Sequence, residues 1–160
     1  MTTYLEWLKT VPAEIANDPI WKLEVYRLAL FSADIGWQDV LALSKSHLMR
    51  STADQLYRAL GSISANLTEG YSRSKGPDRA RFFEYSLGSA RESRDWYYKS
   101  RHVLGEEITG NRLGLHTSIV GMLASMISHQ RRHGIREEQA SYGDTLTSPN
   151  LDPTSEVPLP

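Results

Sequence analysis

Cysteine is absent from this chain, which removes disulfides, thiolate metal sites and a cysteine nucleophile in one step and favours a reducing compartment. Long apolar runs are missing too. The most apolar window, residues 113–128, is interrupted by His116, Thr117, Ser118 and Ser125 and falls short of the roughly 20 residues a membrane span needs. It reads as a core helix, and no membrane role is expected. Met1 to Lys9 holds no basic stretch followed by an apolar one, the pattern of a secretory leader, so cytoplasmic residence is the expectation. No alternating apolar pattern is long enough to argue for a sheet, and no fixed-period repeat is present.

Catalytic templates are lacking in the same way. Neither a Gly-x-Ser-x-Gly elbow, a phosphate loop nor a dinucleotide fingerprint occurs. A di-iron carboxylate bundle, the sharpest enzyme reading of a helical chain, would need Glu-x-x-His pairs, and there are none. His129 and His133 have the i, i+4 spacing of metal ligands, but Arg131 and Arg132 lie between them and no carboxylate joins them nearby. Solvent-facing histidines are the simpler reading. The expectation is no catalysis, no cofactor and no metal site.

What is present is an ordinary globular composition, 40% hydrophobic and 23% charged over 160 residues, enough for one core. The formal charge of −1 conceals an asymmetry. Residues 50–136 carry 14 basic and 8 acidic side chains, residues 1–49 carry 4 and 6, and residues 137–160 carry 5 acidic and no basic ones. Fields act over about a Debye length of 8–10 Å, so a near-neutral total leaves polyanion binding by the middle of the chain open.

Apolar residues recur at three- and four-residue steps in four long stretches, each the stripe of an amphipathic helix. The first opens with Asp18 placed to cap and Pro19 in the first turn, and runs through Val25, Leu28, Ala29, Ser32, Ile35 and Val40 to about Leu43. The second holds Leu56, Ala59, Leu60, Ile63, Asn66, Leu67 and Gly70, where Gly70 is expected to admit a bulky neighbour. Arg73-Ser74-Lys75-Gly76-Pro77 is a turn by composition. The third stripe is Phe83, Ser86, Ala90, Ser93, Tyr97 and Leu104, stopped by Gly105; Ser86, Gly88, Ser89, Ala90 and Ser93 lie near its packing side. The fourth is expected to follow a break at Thr109-Gly110-Asn111, with Leu115, Ile119, Leu123 and Met126 or Ile127 inward, and to end near Gly134. Ahead of these, Thr3 to Ala16 suits a short helix with Leu5, Leu8 and Ile15 apolar, limited by Pro12. The expected fold is all-α: an antiparallel up-down four-helix bundle over residues 18–136. A short N-terminal helical extension (residues 1–17) precedes it, and an acidic, proline-containing disordered tail (residues 137–160) follows.

Two groups of side chains are candidates for function. Arg73, Lys75, Arg79 and Arg81 surround the turn, and Arg91, Arg94, Lys99 and Arg101 continue down the third helix. With Tyr71 and Tyr98 nearby, such a face suits phosphates on the cations and unpaired bases on the rings. The bland alternative is a solvated face balanced by Asp78, Glu84, Glu92 and Asp95, and oligomerisation would repeat the patch and shift that balance. Asn66 and Glu69, with Glu92 approaching from the third helix, form the second candidate, read chiefly as a buried structural polar network fixing helix register.

The run Ser62-Ile63-Ser64-Ala65-Asn66-Leu67-Thr68-Glu69-Gly70-Tyr71-Ser72-Arg73 resembles the Ser-Ile-Pro-Ala-Asn-Ile-Ala-Glu-Gly-Tyr-Gly-Arg signature of the bacterial four-helix bundle proteins, also called the 23S rRNA intervening-sequence protein family. Phe82-Phe83, Gly88-Ser89 and Glu92 resemble that family's aromatic pair, Gly-Ser step and following glutamate, and Leu23 to Ile35 resembles its first helix. The resemblance covers roughly Leu23 to Gln130. Ser64 departs from the usual proline and Arg79 from a common aromatic, while the N-terminal segment and acidic tail lie outside the family's compact form. The resemblance implies a homo-oligomer, often a pentamer, with no established catalytic activity. Distantly similar retroelement accessory variability proteins serve reverse transcriptases and bind nucleic acid through basic surfaces. RNA or DNA binding with little sequence specificity is the leading expectation; a protein-protein adapter that recruits a partner such as a polymerase or reverse transcriptase is the alternative.

Overall fold

The computed structural model describes residues 2–133 and 156–157. Four long helices account for most of it: α3 (Glu24–Ser44), α4 (Arg50–Tyr71), α5 (Gly76–Lys99) and α7 (Glu106–His133). The short helices α1 (Tyr4–Leu8) and α2 (Ala13–Ala16) precede them, and α6 (Arg101–Leu104) separates α5 from α7. Two residue pairs also meet edge to edge, β1 (Thr2–Thr3) lying antiparallel to β2 (Glu156–Val157). Apart from Glu156–Val157, the tail expected over residues 137–160 lies outside the described residues.

The helix ends follow local chemistry. Thr3 and Glu6 form a reciprocal capping box, Thr3 Oγ1 accepting from the Glu6 amide at 3.2 Å and Glu6 Oε2 from the Thr3 amide at 2.9 Å. Asp18 caps as expected, accepting from the Ile20 amide at 2.9 Å, but it opens a single 3₁₀ turn (Pro19–Lys22) and α3 starts after it. Gly105, with φ +82°, stops α6, a left-handed conformation that favours glycine.

The last break falls elsewhere than its composition suggests. Thr109, Gly110 and Asn111 are helical inside α7, and the interruption sits at Ser100 and Gly105. Glu106 and Glu107 supply negative charge to the first turn of α7, where the helix dipole favours it. Tertiary contacts of Arg112 then hold the following turn in place against the cost of Gly110.

Packing partners are α3 with α4, α4 with α5, α5 with α7, and α7 with α3. The apolar positions inferred from periodicity form the core: Val25, Leu28, Ala29, Ile35, Leu56, Leu60, Ile63, Leu67, Phe83, Ala90, Tyr97, Leu115, Ile119, Leu123 and Met126 are all buried. Gly70 does admit a bulky neighbour, for a Cβ there would lie 2.8 Å from the Phe83 ring. A Cβ on Gly36 would meet Leu60 Cδ1 at 2.4 Å and the Tyr97 hydroxyl at 3.0 Å. Gly88, grouped by sequence with the packing side of α5, is exposed, with open space where a side chain would stand.

The N-terminal segment docks through aromatics. Tyr4 and Trp7 are buried while Leu5 and Ile15, two of the expected apolar contacts, are exposed. Trp7 Nε1 donates to Asp34 Oδ2 at 2.5 Å and Tyr4 OH to Glu24 Oε1 at 2.9 Å. Both rings pack on Phe31, with centroids 5.3 and 5.2 Å away. Tyr4 and Trp7 thus join the larger core cluster, with Ile63, Phe83 and Ile119.

A buried polar layer divides that cluster from a second one containing Leu43, Leu56, Leu60, Leu104 and Ile108. Asp39 and Arg112 are both 0% exposed. Arg112 Nε donates to Asp39 Oδ2 at 2.7 Å and Nη2 to Oδ1 at 3.1 Å, while Nη1 reaches Asn111 Oδ1 at 2.8 Å. Tyr97 OH donates to the same carboxylate at 3.0 Å. Burial, followed by the Asp39 charge, pushes the Tyr97 phenol well above its ordinary range, so it stays a neutral donor. Beside it, His116 Nε2 lies 3.0 Å from Ser32 Oγ, and the imidazole packs on Tyr97 with centroids 5.3 Å apart.

Two consequences are measurable. Arg112→Met, which strands a buried carboxylate, is expected to cost about 3–5 kcal/mol, whereas Asp39→Leu with Arg112→Met is expected to recover most of that loss in urea denaturation. Additive losses would show the two residues to be uncoupled. His116 is lowered to about 3 by burial and then by the Arg112 and Arg94 charges, whereas an unfolded histidine takes up its proton near pH 6.5. Between those values the unfolded chain holds the extra proton, so stability falls as pH falls, by up to about 1.4 kcal/mol per unit. His116→Gln is expected to flatten that slope between about pH 7 and pH 4. Equal slopes in the two chains would contradict a neutral buried ring.

Candidate nucleic-acid interface

The turn between α4 and α5 is fastened by its own arginines. Arg79 points back along the chain and donates to the Arg73 carbonyl from Nε at 3.2 Å and Nη2 at 2.6 Å. Arg73 in turn pairs with Glu69, one helical turn earlier, and its guanidinium lies 4.9 Å from the Phe82 ring centroid. Lys75, exposed in the turn, ends in no ion pair among the described residues.

Further along α5 the cations lean on aromatic rings. Arg81 Nε donates to the Tyr85 hydroxyl at 2.7 Å, a bond that raises the guanidinium pKa, and sits 5.6 Å from that ring's centroid. Lys99 pairs with Asp95 and lies 4.3 Å from the Trp96 centroid. Arg101, in α6, donates from Nη1 to the Tyr98 carbonyl at 2.9 Å and stands 4.3 Å from the Tyr98 ring. Arg91 is exposed and Arg94 half-buried, the latter close enough to His116 for its charge to be felt there. Such contacts are worth about 0.5–1 kcal/mol at exposed sites and leave the positive charge in place.

Of the eight basic residues read from the sequence, Arg73 and Lys99 are neutralised by carboxylates. Lys75, Arg79, Arg81, Arg91, Arg94 and Arg101 have no ion pair among the described residues. Of the acids expected to balance the face, one is drawn away, one pairs within it and one is held by a neutral donor. Glu84 pairs with Arg131 of α7, Asp95 with Lys99, and Glu92 accepts from Trp96 Nε1 at 3.1 Å.

The second candidate group does not assemble. Asn66 donates to the Ser62 carbonyl of its own helix at 2.8 Å, Glu69 is exposed and holds Arg73, and Glu92 is exposed beside Trp96. These three share no bond: Asn66 turns back onto its own helix, and the two glutamates are exposed on different helices. The buried polar network is instead Asp39, Tyr97 and Arg112, with Ser32 and His116 adjoining. A signal for it was available. Asp39 stands four residues from both Ile35 and Leu43, and Arg112 four from Ile108 and three from Leu115, each a polar residue on an apolar stripe.

Residues 22–125 match the family model of the 23S rRNA-intervening sequence protein. The chain belongs to that family. No curated protein and no solved structure matches it. The part shared with the 23S rRNA-intervening sequence proteins takes in α3, α4, α5 and most of α7. It therefore includes all eight basic residues and the whole Asp39–Arg112 layer, while the aromatics of α1 and Arg131 fall outside. No described helix is long and apolar enough to cross a membrane.

Proposed function

We propose that this 23S rRNA-intervening sequence protein is a non-catalytic, cytoplasmic, homo-oligomeric scaffold that binds RNA or DNA with little sequence specificity. In this reading the four long helices form an antiparallel up-down bundle, and subunits repeat the basic residues of α5 and its flanking turns around the assembly, five times if it is a pentamer. The observation that carries the proposal is the set of six cations, from Lys75 to Arg101, that no described carboxylate neutralises. An excess of positive charge held at a rigid surface attracts a polyanion by counterion release, without base readout.

A second reading, an adapter that recruits a partner such as a polymerase or reverse transcriptase, is favoured by a different surface. Trp37 and Tyr57 are 46% and 51% exposed on α3 and α4, with centroids 5.6 Å apart, and Leu41 is exposed nearby. Exposed aromatics of this kind are typical anchors of protein interfaces. Trp37→Ser with Tyr57→Ser separates the readings, since it would abolish protein capture and leave nucleic-acid affinity unchanged.

The primary test is binding of labelled RNA and DNA by the full chain while salt is raised, with the mass of the assembly measured in parallel. Contact through about six phosphates is expected to weaken binding about a thousandfold between roughly 50 and 200 mM salt. Affinity that is flat across that range, or absent at its low end, would remove the basis of the nucleic-acid reading. A monomeric mass would remove the scaffold.

A further inference from the structure

The basic residues of α5 do not share one face, and the difference has chemical content. Glu84, Arg91 and Tyr98 recur at seven-residue steps, which places them on one side of the helix. That side faces α7, because Glu84 is ion-paired to Arg131 there. Arg94, sensed by His116 of α7, and Arg101, bonded to the Tyr98 carbonyl, extend the same edge.

Tyr85 belongs to the opposite edge. It sits one residue after Glu84, packs edge-on against Phe82 with centroids 5.8 Å apart, and Phe82 rests against Gly70 of α4.

The α5–α7 edge forms a furrow of unusual make-up. Glu84 meets Arg131 and Tyr97 meets His116, so the two helices run in opposite directions, with Arg94 level with about Val120 and Tyr98 with about Leu115 or His116. Thr117 is exposed and Val120 half-buried, so this wall is uncharged. Gly121, next along it, has open space where a Cβ would stand. The other wall offers Arg91, Arg94 and Arg101, and the carboxylates beside it, Glu84 and Asp95, are already paired with Arg131 and Lys99. At the centre, Tyr98 is 54% exposed with the Arg101 guanidinium 4.3 Å from its ring centroid.

We infer that this furrow takes single-stranded nucleic acid, its phosphates on Arg91, Arg94 and Arg101 and one unpaired base stacked on Tyr98. The inference rests on the nucleic-acid reading given above and specifies the strand state. Two packed helices lie about 8–10 Å apart, a furrow that a flexible single strand can follow. A duplex keeps its bases stacked inside and presents none to the ring, whereas stacking on an exposed aromatic accepts any unpaired base. The shared ligand chemistry is a phosphodiester chain with free base faces, which single-stranded RNA and DNA both supply.

The test is fluorescence anisotropy with the full chain at low salt, using single-stranded RNA, single-stranded DNA and duplex DNA of one length and sequence. At least one single strand is expected to bind about tenfold more tightly than the duplex. The RNA and DNA arms then identify the source of the strand. Tyr98→Ala is expected to weaken single-strand binding about tenfold, Tyr98→Trp to restore it, and Tyr85→Ala to leave it unchanged. Tyr85 is the matched control, being 44% exposed and likewise backed by an arginine. Equal losses for Tyr98→Ala and Tyr85→Ala, or duplex binding as tight as the tighter of the two single strands, would overturn the furrow while leaving polyanion binding standing. Absence of binding to all three probes would overturn both. Both tyrosines are exposed, and unchanged melting temperatures confirm that the variants fold.

Discussion

The core depends on one ion pair. Asp39 and Arg112 come from α3 and α7, and neither touches solvent. Taking both charges out of water costs several kcal/mol each, which only close, well-directed contacts offset. The bidentate contact provides them, with Tyr97 holding the carboxylate and Asn111 the guanidinium. Sliding either helix by one turn would move one charge about 5.4 Å from its partner and into one of the two apolar clusters that flank the layer. An all-leucine interface tolerates several registers, whereas this layer tolerates one. The register so fixed sets the level of Tyr97 against His116, and through it the position of the α5 surface relative to α7.

That dependence explains which parts of the fold were legible in the sequence. Four amphipathic stretches and their inward residues follow from a 3.6-residue period, a property of each helix taken alone. Phe83, Ala90, Tyr97, Ile119 and Leu123 could therefore be placed from spacing. The Thr109-Gly110-Asn111 segment could not, since turn composition there is overruled by Arg112, whose partner lies 73 residues away. The same limit applied to the N-terminal segment. Periodicity proposed Leu5 and Ile15 as its contacts, but α1 is held by Tyr4 and Trp7, whose rings and polar tips find Phe31, Glu24 and Asp34.

The surface shows a similar division. Basic residues could be counted from the sequence, but whether each was balanced could not. Glu84 pairs across to α7, and Asp95, the acid four residues after Arg91 and so within its reach, pairs with Lys99 instead. Asn66, Glu69 and Glu92 were credible as a buried network because they carry polar groups near apolar stripes. A shift of one position around a helix is about 100°, enough to turn each toward its own helix and solvent. Asp39 and Arg112, in contrast, sit on the stripes themselves.

Gly36 shows how far the polar layer reaches. Its backbone lies where a methyl group would collide with Leu60 on one side and the Tyr97 hydroxyl on the other. One side of that constraint is greasy and yields only by repacking, and the other is a proton donor already committed to Asp39. A residue that contributes no side-chain atoms is thus a member of the charge network, because the vacancy it leaves is the channel through which a phenol reaches a carboxylate.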